Sequence, residues 1–238
     1  IRRENMKVLI IGGTGTISTS LVNHLTDLNM DVSVINRGNN NEKLPDAVTK
    51  IICDINDEET VKSYLSNQTF DTVIDFVALE VNDVKRDVRL FKNITDQYIF
   101  ISSASAYQKP PADYPITEHT PLSNPYWDYS ENKKACEEYL NTIKDFNITI
   151  IRPSHTYNNQ MIMAPLTRWQ FEYAHLKRLI DGKPVIIPGD GTSLWTITHA
   201  DDFAASFAGI IGNKLSYNET FHLTSDKLYT WERLTHIQ

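Results

Sequence analysis

The segment Lys7-Val-Leu-Ile-Ile-Gly-Gly-Thr-Gly-Thr-Ile-Ser18 constrains the fold more than any other stretch of the chain. Val8 to Ile11 is a short, continuous apolar run, the pattern of a strand buried on both faces of a parallel sheet. Gly12, Gly13 and Gly15 follow, and Ile17, Leu21, Leu25 and Leu28 then recur at helical spacing. A strand, a tight glycine turn and a helix N-terminus gather unpaired N–H groups and the positive helix end around one point. The missing Cβ atoms let an anion approach, so the arrangement suits a pyrophosphate. Glycine turns of this kind also occur without a ligand; the position at the head of a βαβ unit is what points to binding. The spacing is G-x-x-G-x-x-S, which puts the small Ser18 where a third glycine ordinarily lets helix and strand touch.

The rest of the chain continues the alternation. Strands are expected at Asp31–Ile35, Thr49–Cys53, Asp71–Ala78, Gln97–Ser103 and Ile148–Ile151, with helices at Asp57–Ser66, Val81–Phe91 and Asp128–Asp145. This pattern predicts an α/β fold, a Rossmann-like doubly wound parallel sheet. Pro110, Pro111, Pro115, Pro121 and Pro125 make the intervening segment a long irregular loop. Later, Trp169–Ile180 and Asp201–Ile211 read as helices and Val185–Ile187 as extended. Phe221–Thr224 reads as a last strand, and Thr230-Trp-Glu-Arg opens a final helix. The division expected is a dinucleotide-binding domain over 6–155 and a mainly substrate-binding region over 156–238, with a strand near 220–224 returning to the main sheet.

Composition narrows the function. The 238 residues, 41 % hydrophobic and 22 % charged, suit one large domain with a proper core. A net charge of −7 argues against a nucleic-acid surface. No apolar run approaches the roughly 20 residues that span a bilayer, and Ile1–Asn5 lack the apolar core of a signal peptide. Cys53 and Cys136 suit a reducing compartment, so a cytoplasmic location is expected. His24, His119, His175, His199, His222 and His236 lack metal-ligand spacing, and no metal is expected. Trp169, Phe171, Tyr173 and Trp195 suit binding of a base or sugar ring, and core or subunit-contact roles at least as well.

Where the second strand ends, about 20 residues past the glycines, a carboxylate would bind the ribose 2′-hydroxyl of NAD. Asn36 stands there, followed by Arg37, and an arginine beside the 2′ position favours the phosphate of NADP. Asp54, closing the third strand, can bond an adenine amino group. The catalytic candidate is Tyr129-Ser-Glu-Asn-Lys133. Residues i and i+4 share a helix face, and a lysine ammonium there favours the phenolate and draws the phenol pKa down toward neutrality. With 11 tyrosines in the chain the pair alone is a weak signal. Its position on the helix after the fifth strand gives it weight, because that strand's end supplies Ser102, Ser103 and Ser105 to the ligand-facing side of the sheet.

The glycine turn, Asp54, Ser-Ser-Ala-Ser-Ala-Tyr107, the Tyr129/Lys133 pair and Arg152-Pro153 together resemble the extended short-chain dehydrogenase/reductase family, and within it the NAD(P)-dependent nucleotide-sugar epimerases and dehydratases. The resemblance runs from Lys7 to about Thr224. It implies Ser103 as the catalytic serine, Tyr129 as acid/base and Lys133 as its electrostatic partner, Lys133 also bonding the nicotinamide ribose. It further implies a cofactor site of Gly12, Gly15, Thr16, Ile17, Asn36, Arg37, Asp54, Ile55, Phe76, Val77, Ala78 and Pro153, and a homodimer paired through helices that include Tyr129.

The departures are informative too. The dehydratases carry an Asp-Glu pair where this chain has Ala104 and Ser105, so elimination lacks its acid and base. The epimerases hold a substrate diphosphate with an Asn and an Arg, and His155 and Trp195 stand in those places. Ser105, His155 and Trp195 are therefore the substrate-side candidates. The reading is an NAD(P)-dependent epimerase-type oxidoreductase acting on a sugar or nucleotide-sugar hydroxyl through a transient ketone. The alternatives are an NADPH-dependent ketone reductase and, from another class, an RNA-binding protein on the same scaffold.

Overall fold

The apolar run at the head of the chain lies inside a seven-stranded, all-parallel sheet of order β3-β2-β1-β4-β5-β6-β9. Its strands are β1 (Lys7–Ile11), β2 (Asp31–Asn36), β3 (Thr49–Ile52), β4 (Phe70–Asp75), β5 (Thr95–Ile101), β6 (Ile148–Pro153) and, after an excursion, β9 (Thr220–Leu223). The computed structural model describes residues 5–161 and 171–237. On one face, α1 (Thr16–Asp27) and α6 (Ala200–Ala208) bury Leu21, Leu25, Phe203 and Phe207 against Val8, Ile10 and Ile74. On the other lie α2 (Glu58–Leu65), α3 (Val81–Phe91) and α4 (Asp128–Thr142), packed over Leu9, Ile11, Val73 and Phe100. Each aliphatic side chain buried this way contributes about 1.5–3 kcal/mol, which is why β1 must be apolar on both faces. The chain winds outward from β1 through β2 to β3, then returns to build the other half from β4. The connections that leave the carboxyl ends of β1 and β4 therefore run to opposite faces of the sheet and leave a crevice between them.

A smaller sheet, order β10-β8-β7, is formed by β7 (His155–Tyr157), β8 (Leu194–His199) and β10 (Leu228–Thr230). β8 runs parallel to β7 and antiparallel to β10. The remaining helices are α5 (Glu172–Ile180) and α7 (Trp231–Ile237). No described helix is long and apolar enough to cross a membrane.

The expected strands and helices of the main sheet are present, and the late strand returns to it beside β6. The differences are local. β4 stops at Asp75 rather than Ala78, because Asp75 Oδ1 accepts the N–H groups of Val77 and Ala78 and turns the chain out of the ladder. β7, β8 and β10 were not foreseen, whereas Val185–Ile187, expected to be extended, joins no strand. Trp169, placed on a helix by its spacing, lies outside the described residues. Among these residues Gln97, Thr72, Thr149 and Ser216 form a buried neutral network below the middle of the sheet, with Gly212 N–H donating to Gln97 Oε1 at 2.8 Å.

Candidate active site

The turn after β1 is shaped by two glycines with φ of +108° at Gly12 and +78° at Gly13. A Cβ on Gly13 would lie 2.6 Å from Val34 Cγ1, and one on Gly12 would lie 3.1 Å from Val77 Cγ1. The backbone is thus drawn against its neighbours in a way a side chain would prevent. Ser18 Oγ accepts the Gly15 N–H at 2.9 Å, so the residue in the third-glycine position closes the first turn of α1 with its hydroxyl. The Thr16 hydroxyl donates to the Met161 thioether at 3.4 Å, and Ile17 packs into the core below.

Beside this turn opens a cavity of about 400 Å³ at the carboxyl ends of β1, β2 and β3. Of the sequence-predicted cofactor residues, Gly12, Asn36, Arg37, Asp54, Ile55 and Val77 line it. Asn36 is occupied in shaping the wall: its oxygen accepts from Gly38 N–H at 2.8 Å and its amide donates to Asn41 at 2.7 Å. Arg37 is exposed and has no hydrogen-bond or ion-pair partner among the described residues. Phe76 instead turns into the core, 6.4 Å edge-on to Phe207. Ala78 is buried and contributes its carbonyl oxygen to Lys133, and Pro153 closes β6. The glycine cradle, the unpaired Arg37 and the carboxylate of Asp54 fit the adenosine-diphosphate half of a dinucleotide.

One residue beyond Val77 the catalytic candidates begin. Lys133, 2 % exposed, donates to Ala78 O at 2.6 Å and Ile101 O at 2.8 Å. Its ammonium lies 5.7 Å from the centre of the Tyr129 ring and 4.8 Å from that of Phe100. Burial pulls its pKa down to about 8, against the opposing pull of Asp75. The Tyr129 phenol faces the Ser103 hydroxyl. Burial pushes the phenol above its ordinary value and the Ser103 hydroxyl only partly offsets this. Spacing alone suggested a lowered phenol. In the fold the lysine is directed to two carbonyls and desolvation of the phenol prevails.

Ser105, expected to face substrate, has its hydroxyl between those of Ser103 and Ser130, at 2.9 Å from each. Asn124 Nδ2 donates to Ser105 O at 2.7 Å and to Ser130 Oγ at 3.3 Å. Ser105 N–H also donates to Ser103 Oγ at 3.1 Å, so Ser105 holds the Ser103 hydroxyl in place. Below it, Ser102 donates to Glu137, which pairs with Arg152 through two bonds at 3.0 and 2.6 Å. Sequence reading did not assign Ser130, Asn124 or Glu137. Glu137 was findable, because it stands one helical step beyond Lys133 and two beyond Tyr129. Asn124 sits in the proline-rich loop and left no periodic signal.

His155 and Trp195, the other residues expected to face substrate, come together across β7 and β8, with ring centres 6.3 Å apart. Trp195 packs in turn against Trp231, ring centres 5.1 Å apart and tilted by 35°. Burial lowers the His155 pKa and favours the uncharged imidazole.

A parallel sheet that reverses its strand order beside a glycine turn, with a serine, a tyrosine and a lysine at the same carboxyl ends, defines the Rossmann-type α/β class of dinucleotide-binding fold. The chain belongs to the NAD dependent epimerase/dehydratase family, whose model matches residues 8–221. It is 29 % identical over 242 residues to the chloroplast stem-loop binding protein of 41 kDa b of Arabidopsis thaliana, covering 96 % of this chain and 61 % of that protein. It is 25 % identical over 235 residues to 2′-dehydrokanamycin reductase of Streptomyces kanamyceticus, covering 97 % and 65 %. The chain thus spans somewhat under two thirds of the length of these relatives. The structure of epimerase Mth375 from Methanothermobacter thermautotrophicus superposes with a TM-score of 0.83 at 16 % identity, over 99 % of this chain and 76 % of that one.

Proposed function

We propose that the chain is an NAD(P)-dependent enzyme of epimerase type that acts on a secondary hydroxyl of a sugar or nucleotide sugar. The observation that carries this reading is the meeting of Ser103, Tyr129 and Lys133, with Lys133 bonded to the carbonyl of Ala78, the neighbour in sequence of Val77 on the cavity wall. A nicotinamide bound there supplies reversible hydride chemistry. Ser103 holds the substrate oxygen, and Tyr129 exchanges the hydroxyl proton with it. Lys133 provides the positive field that favours the phenolate as the proton moves. In the epimerase outcome the keto form turns within the pocket and is reduced on its other face before release.

A second reading, an NADPH-dependent ketone reductase, is favoured by the unpaired Arg37 on the cavity wall and by the reductase relative that covers nearly the whole chain. Net consumption of NADPH by a ketone substrate selects it, whereas isomerisation with no net cofactor oxidation selects the epimerase. Melting curves with NAD, NADP and a panel of sugar nucleotides identify the ligands, because a specific binder raises the midpoint by mass action. Tyr129→Phe should lower turnover by about 10²–10⁴-fold while the dinucleotide shift survives. Retained turnover in that variant refutes the role given to Tyr129.

A further inference from the structure

Asp75 closes β4 as a fully buried carboxylate that neither the dinucleotide cavity nor the proton-transfer residues use directly. A charge taken out of water is costly unless something compensates it. Asp75 Oδ1 accepts the N–H of Val77 and, at 2.9 Å, that of Ala78. Its Oδ2 has no hydrogen bond among the described residues, and Arg86 Nη2 on α3 stands 3.6 Å away, beyond hydrogen-bond reach. The neighbouring carboxylates are each bonded to a guanidinium. Asp87 Oδ1 accepts from Arg86 Nε and Nη2 at 3.0 and 2.9 Å, and its Oδ2 accepts the Tyr98 hydroxyl of β5 at 2.7 Å. Asp83 accepts from Arg86 Nη1 at 3.2 Å, and Glu137 is paired with Arg152. Of these four carboxylates, Asp75 is the one left without a direct cation.

Lys133 is the complementary case. Its buried ammonium donates to two carbonyls and, among the described residues, to no carboxylate. One of those carbonyls belongs to Ala78, so the carboxylate of Asp75 and the ammonium of Lys133 hold the two backbone groups of a single residue. Burial works against the charged form of Lys133, and Asp75 is the foremost charge opposing it, ahead of Cys136, Asp83 and Glu137. The last two are already engaged with Arg86 and Arg152. Burial pushes the Cys136 thiol up to about 12, so it brings no charge near neutrality. We infer that Asp75 is a positioning residue for Lys133: through the turn at 77–78 it sets a carbonyl that orients the ammonium, and its uncompensated charge keeps that ammonium positive beside Tyr129. The inference deepens the reading of Ser103, Tyr129 and Lys133 given above and rests on it.

Asp75→Asn separates shape from charge, because an asparagine oxygen accepts the same two N–H groups and keeps the turn while the charge is lost. The whole chain is labelled with lysine carrying ¹³C at Cε, and the Lys133 resonance is assigned by its absence from Lys133→Met. In the unliganded wild type that resonance should titrate at about 8. In Asp75→Asn the midpoint should fall by about one pH unit or more, a roughly tenfold loss of proton affinity. Asp87→Asn removes an equally buried carboxylate that bonds neither the turn nor Lys133, and should move the midpoint far less. Where Asp75→Asn does not melt cooperatively, Asp75→Ser, whose hydroxyl can accept in the same turn, is read in its place. On the substrate found by the melting screen, kcat of the Asp75 variant should decline above about pH 7, where wild type holds until about 8, with KM little changed. An unmoved Lys133 midpoint in the Asp75 variant, or an equal fall in Asp87→Asn, overturns the inference and leaves the cofactor reading standing. A wild type that binds no dinucleotide overturns the cofactor reading, and the inference with it.

Discussion

Replacing Lys133 by methionine should change how stability depends on pH, and the size of the change follows from the site. The ammonium is buried and bonded to two carbonyl oxygens, and burial brings its pKa from 10.5 to about 8. As pH rises through 8 the folded protein loses this proton while the unfolded chain keeps it. Unfolding then takes up a proton, so stability rises with pH across the window between the two values. With those two pKa values the gain between pH 7 and pH 9 is about 1.3 kcal/mol, and it is absent from the methionine variant. Loss of the lysine also leaves Ala78 O and Ile101 O without their donor, at about 1–3 kcal/mol for each carbonyl, but that offset does not vary with pH. Cys136, which burial pushes up to about 12, acts in the opposite direction once the unfolded thiol ionises near 9, so the comparison ends at pH 9. Urea unfolding of both proteins at pH 7, 8 and 9 reads the difference directly. The gap in favour of wild type should widen by about 1.3 kcal/mol over that range. Parallel pH profiles would refute the claim that a buried, charge-penalised ammonium stands beside Tyr129.

Three further predictions, one of them a comparison of two glycines, probe other parts of the fold. Gly13→Ala combines a φ of +78° with a Cβ 2.6 Å from Val34, whereas Gly189→Ala, at +56°, meets nothing within 4 Å. Thermal melting should show Gly13→Ala the worse of the two by about 1–3 kcal/mol of overpacking, and equal losses would mean the close approach is unimportant. Arg37→Ala should weaken NADP by about tenfold or more and leave NAD nearly unchanged in titrations, a parallel loss counting against recognition of a 2′-phosphate. Glu137→Gln strips the Arg152 guanidinium of its buried counter-charge and should cost about 3–5 kcal/mol in urea unfolding; a loss below about 1 kcal/mol would show the pair to be dispensable.

The main sheet was legible because its signals are local and repeated. Val8–Ile11, the glycine turn and the Ile17/Leu21/Leu25/Leu28 stripe each state one element, and the alternation of such elements leaves one architecture. The small sheet was not legible because its strands are three to six residues long and take their partners from distant parts of the chain. His155 pairs with Ile197, and Tyr229 with Trp195, contacts that no local period announces. Site residues divide in the same way. Helical spacing set Tyr129 and Lys133 on one face, as the fold does, but did not give the direction of the phenol shift, since desolvation is a property of the assembled fold. Asn36 was read as a ligand contact from its position alone, and its amide turned out to be engaged with Gly38 and Asn41.

The distribution of buried polar groups follows the sheet's polarity. Toward the amino-terminal halves of β4, β5 and β6 the network is neutral and built from Thr72, Gln97 and Thr149, which donate and accept among themselves. At the carboxyl ends it is ionic: Asp75 and Asp87 around Arg86, Glu137 against Arg152, and Lys133 capped by carbonyls. Buried ion pairs seldom add net stability over apolar residues of the same volume, because desolvation consumes most of the Coulombic gain. Their concentration at the end that forms the crevice therefore calls for another reason, and the contacts supply it. Arg86 fixes Asn56 at the cavity wall, and Glu137 ties the helix of Tyr129 to Ser102, next to Ser103. A guanidinium and a carboxylate fix direction as well as distance, which apolar packing does not. The fold thus places directional, costly interactions where a few side chains must hold a set orientation, and neutral ones where the sheet need only stay closed.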